Sequence, residues 1–151
     1  MVYLAADHRG FELKEEIKKY LISKEYEVQD LGAFELNPED DYVDYAGRAA
    51  EKIAANPGVN KGIFFCGSGH GVDMVANKFK GVRAALCFNR QVAVQSREHE
   101  NSNVLVLASD WLRLSDAVNV VGDWLNAEFK GEERHVRRLK KMEEIEDHNF
   151  K

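Results

Sequence analysis

Short strand-like segments recur along the chain, and segments with helical periodicity separate them. The strand-like segments cover residues 2–6, 27–31, 62–65, 82–86 and 104–107. The clearest of them, Gly62 to Phe65, is hydrophobic without polar alternation, which is typical of a strand buried on both faces of a parallel sheet. The order predicts an α/β fold, a single doubly wound, Rossmann-like domain with a five-stranded parallel sheet and helices on both faces.

Six segments have the pattern of helices, and they cover residues 11–21, 45–55, 72–78, 89–97, 115–125 and 132–145. The acidic segment 35–44 predicts a loop. No linker or internal repeat divides the chain, so we expect all 151 residues to form one domain.

Composition excludes several classes of protein. No apolar run is long enough to cross a bilayer, and the N-terminus lacks the basic region of a signal peptide, so we expect no membrane partner. The net charge of -5 argues against a nucleic-acid partner. Two cysteines are too few for a disulfide framework, and free thiols suit a reducing compartment, which predicts a cytoplasmic protein.

The third strand leads directly into a glycine-rich loop, residues 66–71, with the sequence C-G-S-G-H-G. Glycines at the start of a helix leave backbone N–H groups open to an anion, although they also serve tight turns; their number here favours the anion site. The loop does not match a dinucleotide-binding fingerprint, which would have glycine at the position of Val72. A cysteine phosphatase would need an arginine to close the loop, and none occurs between Cys66 and Lys78.

Cys66 stands between this strand and this loop. Such a position favours the reactive thiolate form, whereas an isolated cysteine is more often a packing residue. The packing interpretation suits Cys87, which follows the apolar residues Ala84, Ala85 and Leu86. We therefore interpret Cys66 as functional and Cys87 as structural.

Ligands of a doubly wound sheet bind beyond the carboxyl ends of its strands. Asp7 and His8 follow the first strand; Asp7 either caps the next helix or acts on substrate, and both interpretations stay open. His99 joins this edge only if the end of its helix folds back over the sheet. Arg134 and Arg138 share one helix face, which by itself indicates a solvated surface.

Six collinear motifs between Ala6 and Arg138 resemble the B-type ribose-5-phosphate isomerases, a group that includes galactose-6-phosphate isomerase subunits. The motifs are Asp7-His8-x-Gly10-Phe11-x-Leu13-Lys14, Asp41-Tyr42-x-x-Tyr45-Ala46, Cys66-Gly67-Ser68-Gly69-x-Gly71, Ala76-Asn77-Lys78 with Gly81-x-Arg83-Ala84, Ser96-Arg97-x-His99 with Asn103-Val104-Leu105, and Arg134-His135-x-x-Arg138. The resemblance implies aldose–ketose isomerisation of a sugar phosphate, most simply ribose 5-phosphate to ribulose 5-phosphate, without a metal or other cofactor. It also implies a homodimer, or a dimer of dimers, with sites between subunits and the last helix extending toward the partner.

The resemblance also implies residue roles. Cys66 would be the base that moves a proton between C1 and C2, and Ser68 would move protons between O1 and O2. Asp7 and His99 would open the furanose ring. The remaining implied contacts to substrate or phosphate are His8, Tyr42, Gly67, Gly69, His70, Gly71, Glu100, Arg134 and Arg138.

Several positions differ from the usual pattern of these enzymes. Glu100 replaces an asparagine, Asp110 replaces an arginine that contributes to phosphate binding, and Val43 replaces a proline; His70 and Asp73 are also unusual. Because a carboxylate repels a phosphate unless it is paired, we hypothesise that Glu100 and Asp110 select a different sugar phosphate.

Three alternatives remain open from the sequence. The chain could be a sugar-phosphate sensor that keeps the anion site without turnover. It could use a metal held by some of Asp7, His8, His70, Asp73 and His99, although their spacing matches no metal signature. Binding of nucleic acid through the basic C-terminal helix is the weakest of the three.

Overall fold

A five-stranded parallel sheet forms the centre of the molecule, and the computed structural model describes residues 1–150. The strands are β1 (Val2–Ala6), β2 (Val28–Asp30), β3 (Lys61–Cys66), β4 (Ala84–Leu86) and β5 (Val104–Ala108). Their spatial order is β2-β1-β3-β5-β4, and every pairing is parallel. The predicted α/β fold is confirmed. Lys151, the last residue of the predicted domain, lies outside the described residues.

Helices cover both faces of this sheet. They are α1 (Phe11–Ser23), α2 (Tyr42–Ala54), α3 (His70–Ala76), α4 (Arg90–Glu100), α5 (Leu114–Asn126) and α6 (Glu133–Asn149). One core cluster joins α1, α4 and α5 to alternate strand residues such as Ile63 and Phe65. The other joins α2 and α3 to the intervening residues, including Phe64 and Cys66. The strands are thus buried on both faces, as their hydrophobic runs predict.

Helix boundaries differ from the prediction by up to four residues, and two of these differences have a structural explanation. Helix α2 begins at Tyr42, inside the segment predicted to be a loop, and Asp44 in its first turn interacts favourably with the positive end of the helix dipole. Helix α6 continues to Asn149, four residues beyond its predicted end. Its last turns are anchored because the Glu146 carboxylate accepts the N–H of Gly81 at 3.2 Å.

Helix α6 is largely uncovered. His135 is its only buried residue, while Val136, Met142 and Ile145 are 47%, 41% and 62% exposed. Its apolar side therefore lacks a full packing partner within the described residues 1–150. No helix of this range is long and apolar enough to span a bilayer.

Strands β1 and β3 create the crevice in which a ligand would bind. They are neighbours in the sheet, but the helices that follow them, α1 and α3, lie on opposite faces. Where two connections diverge in this way, the carboxyl ends of the strands border an open crevice. The turn after β1 begins at Asp7 and the loop after β3 begins at Cys66, so both predicted polar segments meet there.

Candidate active site

A cavity of about 300 Å³ opens at this crevice. It is lined by Asp7, Arg9, Tyr42, Cys66, Gly67, Ser68, His70, Gly71 and Met74. Seven of these nine residues are among the predicted site residues, so the structure brings together the part of the site that follows β1 and β3. Arg9 and Met74 were not predicted.

Cys66 is the last residue of β3, and its side chain is held by the loop that follows. Its Sγ accepts a hydrogen bond from the N–H of Gly69 at 3.2 Å, which stabilises negative charge on the sulfur. Gly69 has a φ of +81°, and a Cβ there would lie 2.5 Å from Leu86 Cδ1. Glycine is therefore required at this position for the N–H to reach the sulfur.

The rest of the glycine loop is partly engaged in its own hydrogen bonds. The Ser68 hydroxyl accepts the N–H of His70 at 3.3 Å. The ring of Tyr42 stands over Gly71, where a Cβ would lie 2.5 Å from the Tyr42 Cζ atom. Tyr42 therefore forms a wall of the cavity, and the glycine serves close packing at this point as well as leaving its amide open.

Asp7 lies in the turn before α1 and at the wall of the cavity. Its Oδ1 accepts the N–H groups of Arg9 and Gly10 at 3.0 and 3.1 Å, which fixes the turn that leads into α1, whereas the N-cap residue of α1 is Gly10 and no side chain caps it. The same carboxyl group is almost completely buried and lines the cavity beside Cys66. These hydrogen bonds therefore hold the carboxylate at the wall of the cavity.

His8 lies next to this cavity and is fixed by Asp40. The Asp40 Oδ1 atom is 2.7 Å from His8 Nδ1 and accepts the backbone N–H of His8 at 3.0 Å. Asp7, His8 and Asp40 each offer one ligand atom within 4.8 Å of the others, so they could hold a cation. His70, Asp73 and His99, the other residues considered as metal ligands, are not part of this group.

The second group of predicted site residues lies elsewhere. Helix α4 runs back along the sheet and ends at Glu100, just before β5 begins, so His99 lies at the amino edge of the sheet. Glu100 lines a separate groove of about 390 Å³ beside α6, and Arg134 and Arg138 are exposed on α6. Among residues 1–150 of one chain, none of these four lines the cavity at Cys66. The condition under which His99 would join the carboxyl edge of its own sheet, that the end of its helix folds back over that edge, is not met within one chain.

His99 and the arginines do have structural neighbours. His99 stacks on His135, with ring centroids 4.3 Å apart. His135 is buried, and its Nδ1 has no hydrogen-bond partner among the described residues. Arg134 lies 3.3 Å from the carboxylate of Glu132. This second group is therefore a distinct surface of α4 and α6, the His99 surface, which includes His99, Arg134 and Arg138.

The structure also shows where the residues that differ from the usual pattern of the B-type isomerases lie. Asp110 forms an ion pair with Arg9 at the edge of the cavity, so its carboxylate is compensated. His70 lines the cavity and is exposed. Asp73 is half-buried, and burial raises the pKa of its carboxyl group despite the opposing effect of nearby His70.

Besides the apolar residue Met74, two polar residues of this region were missed from sequence. Arg9 occupies the variable position between two motif residues, and its only signal was an arginine just beyond the end of β1. Asp40 lies in the polar loop before α2, where nothing local distinguishes it from its acidic neighbours. Its importance depends on a contact with His8, 32 positions away.

Comparison with known proteins adds the family. A model of the family described as Ribose/Galactose Isomerase matches residues 2–142. The chain belongs to this family. It is similar to the probable ribose-5-phosphate isomerase B of Mycoplasma genitalium, with 42% identity over 93% of this chain and 92% of that protein. It is also similar to the ribose-5-phosphate isomerase B of Escherichia coli, with 37% identity over 96% of this chain and 95% of that protein.

Solved structures of family members agree with the fold. The crystal structure of ribose-5-phosphate isomerase B from Mycoplasma genitalium with bound ribulose 5-phosphate has a TM-score of 0.95 and 40% identity, and the match covers 98% of this chain and 97% of that one. The enzyme from Clostridium thermocellum gives a TM-score of 0.92 and 39% identity, over 97% of each chain. The predicted family is thus confirmed, and the chain is an isomerase.

Proposed function

We propose that this isomerase interconverts ribose 5-phosphate and ribulose 5-phosphate through a cis-enediolate, with Cys66 as the base and no metal or cofactor. The observation that carries the proposal is the position of the Cys66 sulfur, which accepts the Gly69 amide in a cavity shared with Ser68 and Asp7. The ribulose 5-phosphate bound to the related enzyme of Mycoplasma genitalium supports the choice of substrate.

The reaction moves one proton from C2 to C1 of the sugar and another from O2 to O1. The Cys66 thiolate removes the proton from C2 of the open-chain aldose and returns it to C1, while the electron pair passes to the carbonyl oxygen at C1. The Ser68 hydroxyl moves the proton between O2 and O1. The open amides of the glycine loop stabilise the negative charge that develops on oxygen.

Opening of the furanose ring would involve two subunits. Asp7 lines the cavity in one chain, and we assign the second group to His99 of the partner subunit. His8, Arg134 and Arg138 would bind the phosphate, the two arginines also coming from the partner. Tyr42, Gly67, His70, Gly71 and Glu100 stay proposed substrate contacts.

Two observations support the homodimer in this proposal. The His99 surface is separate from the Cys66 cavity within one chain, so a site that uses both needs a second copy. Helix α6 also exposes Val136, Met142 and Ile145, an apolar side that a partner would cover. A symmetric dimer would pair each cavity with the partner's His99 surface.

The decisive experiment is proton NMR of the protein with ribose 5-phosphate in D2O, with Cys66→Ala as control and a panel of other aldose phosphates. We expect deuterium at the exchanging carbon of the sugar, and no incorporation with the control. Incorporation only with another sugar would retain the mechanism and change the substrate. Binding without exchange on any sugar would contradict the proposed reaction and favour a sugar-phosphate sensor.

Mixing two inactive variants tests the shared site. Cys66→Ala and His99→Ala each remove a different part of the site, so a mixed dimer contains one intact site. Random re-pairing of equal amounts gives about a quarter of the wild-type activity because half of the dimers are mixed and each has one of two sites. No recovery after verified subunit exchange would contradict the shared site.

Chelation tests the proposal that the reaction uses no metal. Treatment with EDTA should leave activity unchanged.

A further inference from the structure

The Arg9 guanidinium occupies the mouth of the Cys66 cavity and has no assigned role. Arg9 is the third residue after β1, and its side chain lies against Gly67, the first glycine of the glycine loop. A Cβ on Gly67 would overlap the Arg9 Cζ, Nε and Nη2 atoms. The missing side chain of Gly67 therefore leaves room for a guanidinium at the cavity that Cys66 lines.

The charges around the cavity make this guanidinium notable. Of the nine lining residues, all within the described range, Arg9 carries the one permanent positive charge. Asp7 lines the same cavity, and Asp40 stands behind His8. A sugar phosphate is a dianion, and carboxylates repel it unless cationic donors compensate them. Arg9 is therefore the group of this wall that can offer charge-assisted hydrogen bonds to phosphate.

Asp110 holds Arg9 in this position. Its carboxylate pairs with Arg9 Nη2, and its backbone N–H donates to the carbonyl of Gly67 at 3.0 Å. The adjacent Ser109 hydroxyl lies 2.7 Å from the carbonyl oxygen of Arg9 and 3.1 Å from that of Cys66. The end of β5 thus fixes the Arg9 turn and the glycine loop to each other.

The ion pair does not prevent Arg9 from binding a ligand. The Arg9 side chain is 53% exposed and that of Asp110 33%, so water weakens their attraction. A guanidinium has five N–H donors in one plane, and it can keep one edge on a carboxylate while another edge faces an anion.

We propose that Arg9 binds the phosphate of the substrate and that Asp110 is its positioning residue. This assignment rests on the proposed function and adds a substrate contact to it. It also changes the meaning of position 110. From sequence alone, the carboxylate of Asp110 opposes phosphate binding. In the structure it holds the positive charge of Arg9 next to position 110. The Arg9–Asp110 pair therefore supplies the guanidinium that the B-type isomerases usually have at position 110 itself.

The first test compares Arg9→Ala, Arg9→Lys and the matched control Arg113→Ala, which removes another exposed arginine paired with an aspartate. We expect Arg9→Ala to raise KM for ribose 5-phosphate about 10- to 100-fold with a smaller change in kcat, since it loses charged hydrogen bonds to phosphate. Arg9→Lys should recover part of this loss, and Arg113→Ala should match the wild type. A fall in kcat with unchanged KM would overturn the phosphate assignment.

Binding of inorganic phosphate, measured by calorimetry, separates this inference from the proposed function. Phosphate binding that Arg9→Ala weakens in a protein without turnover would refute the isomerase and keep the phosphate site. If the wild type turns over and Arg9→Ala has an unchanged KM and an unchanged phosphate affinity, the proposed function is kept and the phosphate contact of Arg9 is refuted. Thermal unfolding of each variant verifies that it is folded.

A double-mutant cycle tests the role of Asp110. Asp110→Asn should raise KM several-fold when Arg9 is present and have no further effect in the Arg9→Ala background, because it acts through the guanidinium. Equal effects in both backgrounds would refute positioning. Placing the arginine at the other position, in the double variant Arg9→Ala with Asp110→Arg, should lower KM relative to Arg9→Ala alone; an unchanged KM would overturn the equivalence of the two positions.

Discussion

The two cysteines of this protein occupy similar places in the fold and have different surroundings. Cys66 ends β3 and Cys87 directly follows β4, and a helix begins a few residues after each. Both are buried, with 4% and 1% exposure. The Cys66 sulfur accepts the Gly69 amide at the edge of a cavity, whereas the Cys87 sulfur lies in the core, 3.9 Å from the hydroxyl of Ser96. Burial raises the pKa of Cys87 to about 11.

The difference lies in the residues that follow each strand. After Cys66, a glycine with positive φ turns its backbone N–H back onto the sulfur. After Cys87, the Asn89 side chain accepts the N–H of Val92 and caps α4, so the start of this helix is satisfied by another residue. A backbone N–H therefore reaches the sulfur of Cys66, whereas the side chain of Asn89 satisfies the start of the helix after Cys87.

The largest contrast is expected in turnover. Cys66→Ala should lower kcat for the sugar-phosphate substrate about 10²- to 10⁴-fold, because it removes the proposed base. Cys87→Ala should leave kcat close to that of the wild type. Steady-state kinetics of both variants, with circular dichroism as a control for folding, measures the difference. Comparable losses in the two variants would remove the distinction between the cysteines.

Alkylation measures the same contrast without a substrate. Iodoacetamide at pH 7.5 should modify Cys66 at least about 100-fold faster than Cys87, since a thiol with a pKa of about 11 is almost entirely protonated there. The raised pKa means that the thiolate of Cys87 increases about tenfold for each pH unit up to that value. Peptide mass spectrometry gives both rates. Fast labelling of Cys87 in the folded protein would contradict its burial.

The glycine that serves Cys66 can be tested against a glycine without such a role. Gly69→Ala requires an unfavourable φ and a contact with Leu86, so we expect a loss of about 1–3 kcal/mol in unfolding free energy and a lower kcat. The matched variant Gly47→Ala, in α2, meets no atom within 4 Å and should stabilise the helix by about 1 kcal/mol. Chemical denaturation and kinetics measure both. A Gly69→Ala enzyme with normal turnover would show that its amide geometry is dispensable.

The smallest expected effect concerns packing. Cys87→Ala should lower the unfolding free energy by about 1 kcal/mol, because the lost sulfur leaves a small space in the core. Cys66→Ala should be less destabilising, since its side chain borders an open cavity. Urea denaturation of the two variants decides their order. The reverse order would mean that the amide contact to Cys66 stabilises the fold more than the packing of Cys87 does.

Local sequence was sufficient for most of the fold. Hydrophobic runs such as Gly62 to Phe65 identify buried strands, and the residues that follow β1 and β3 could be assigned to one edge because parallel strands share their carboxyl ends. The start of α2 was missed because Tyr42 and Val43 follow an acidic segment that has no apolar periodicity of its own.

The arrangement of the candidate site was less predictable. The edge of the sheet at which His99 lies depends on the direction of α4. The contact of His99 with His135 depends on how α6 packs against α4. Arg9 and Asp40 have contacts with Asp110 and His8, far away in the sequence. A pattern that is read over a few residues contains no information about such pairs.

The pairing of β1 with β3 also has a kinetic meaning. Ala6 lies opposite Phe65, and only this alignment brings the turn after β1 against the loop after β3. Contacts between segments so distant in the chain form slowly, because closing a long loop loses entropy before any contact compensates it. The loop around Cys66 is local, but its cavity needs the central strands in register. A newly synthesised chain therefore acquires a complete cavity wall only after its central sheet has assembled, so partly folded chains do not present the complete cavity.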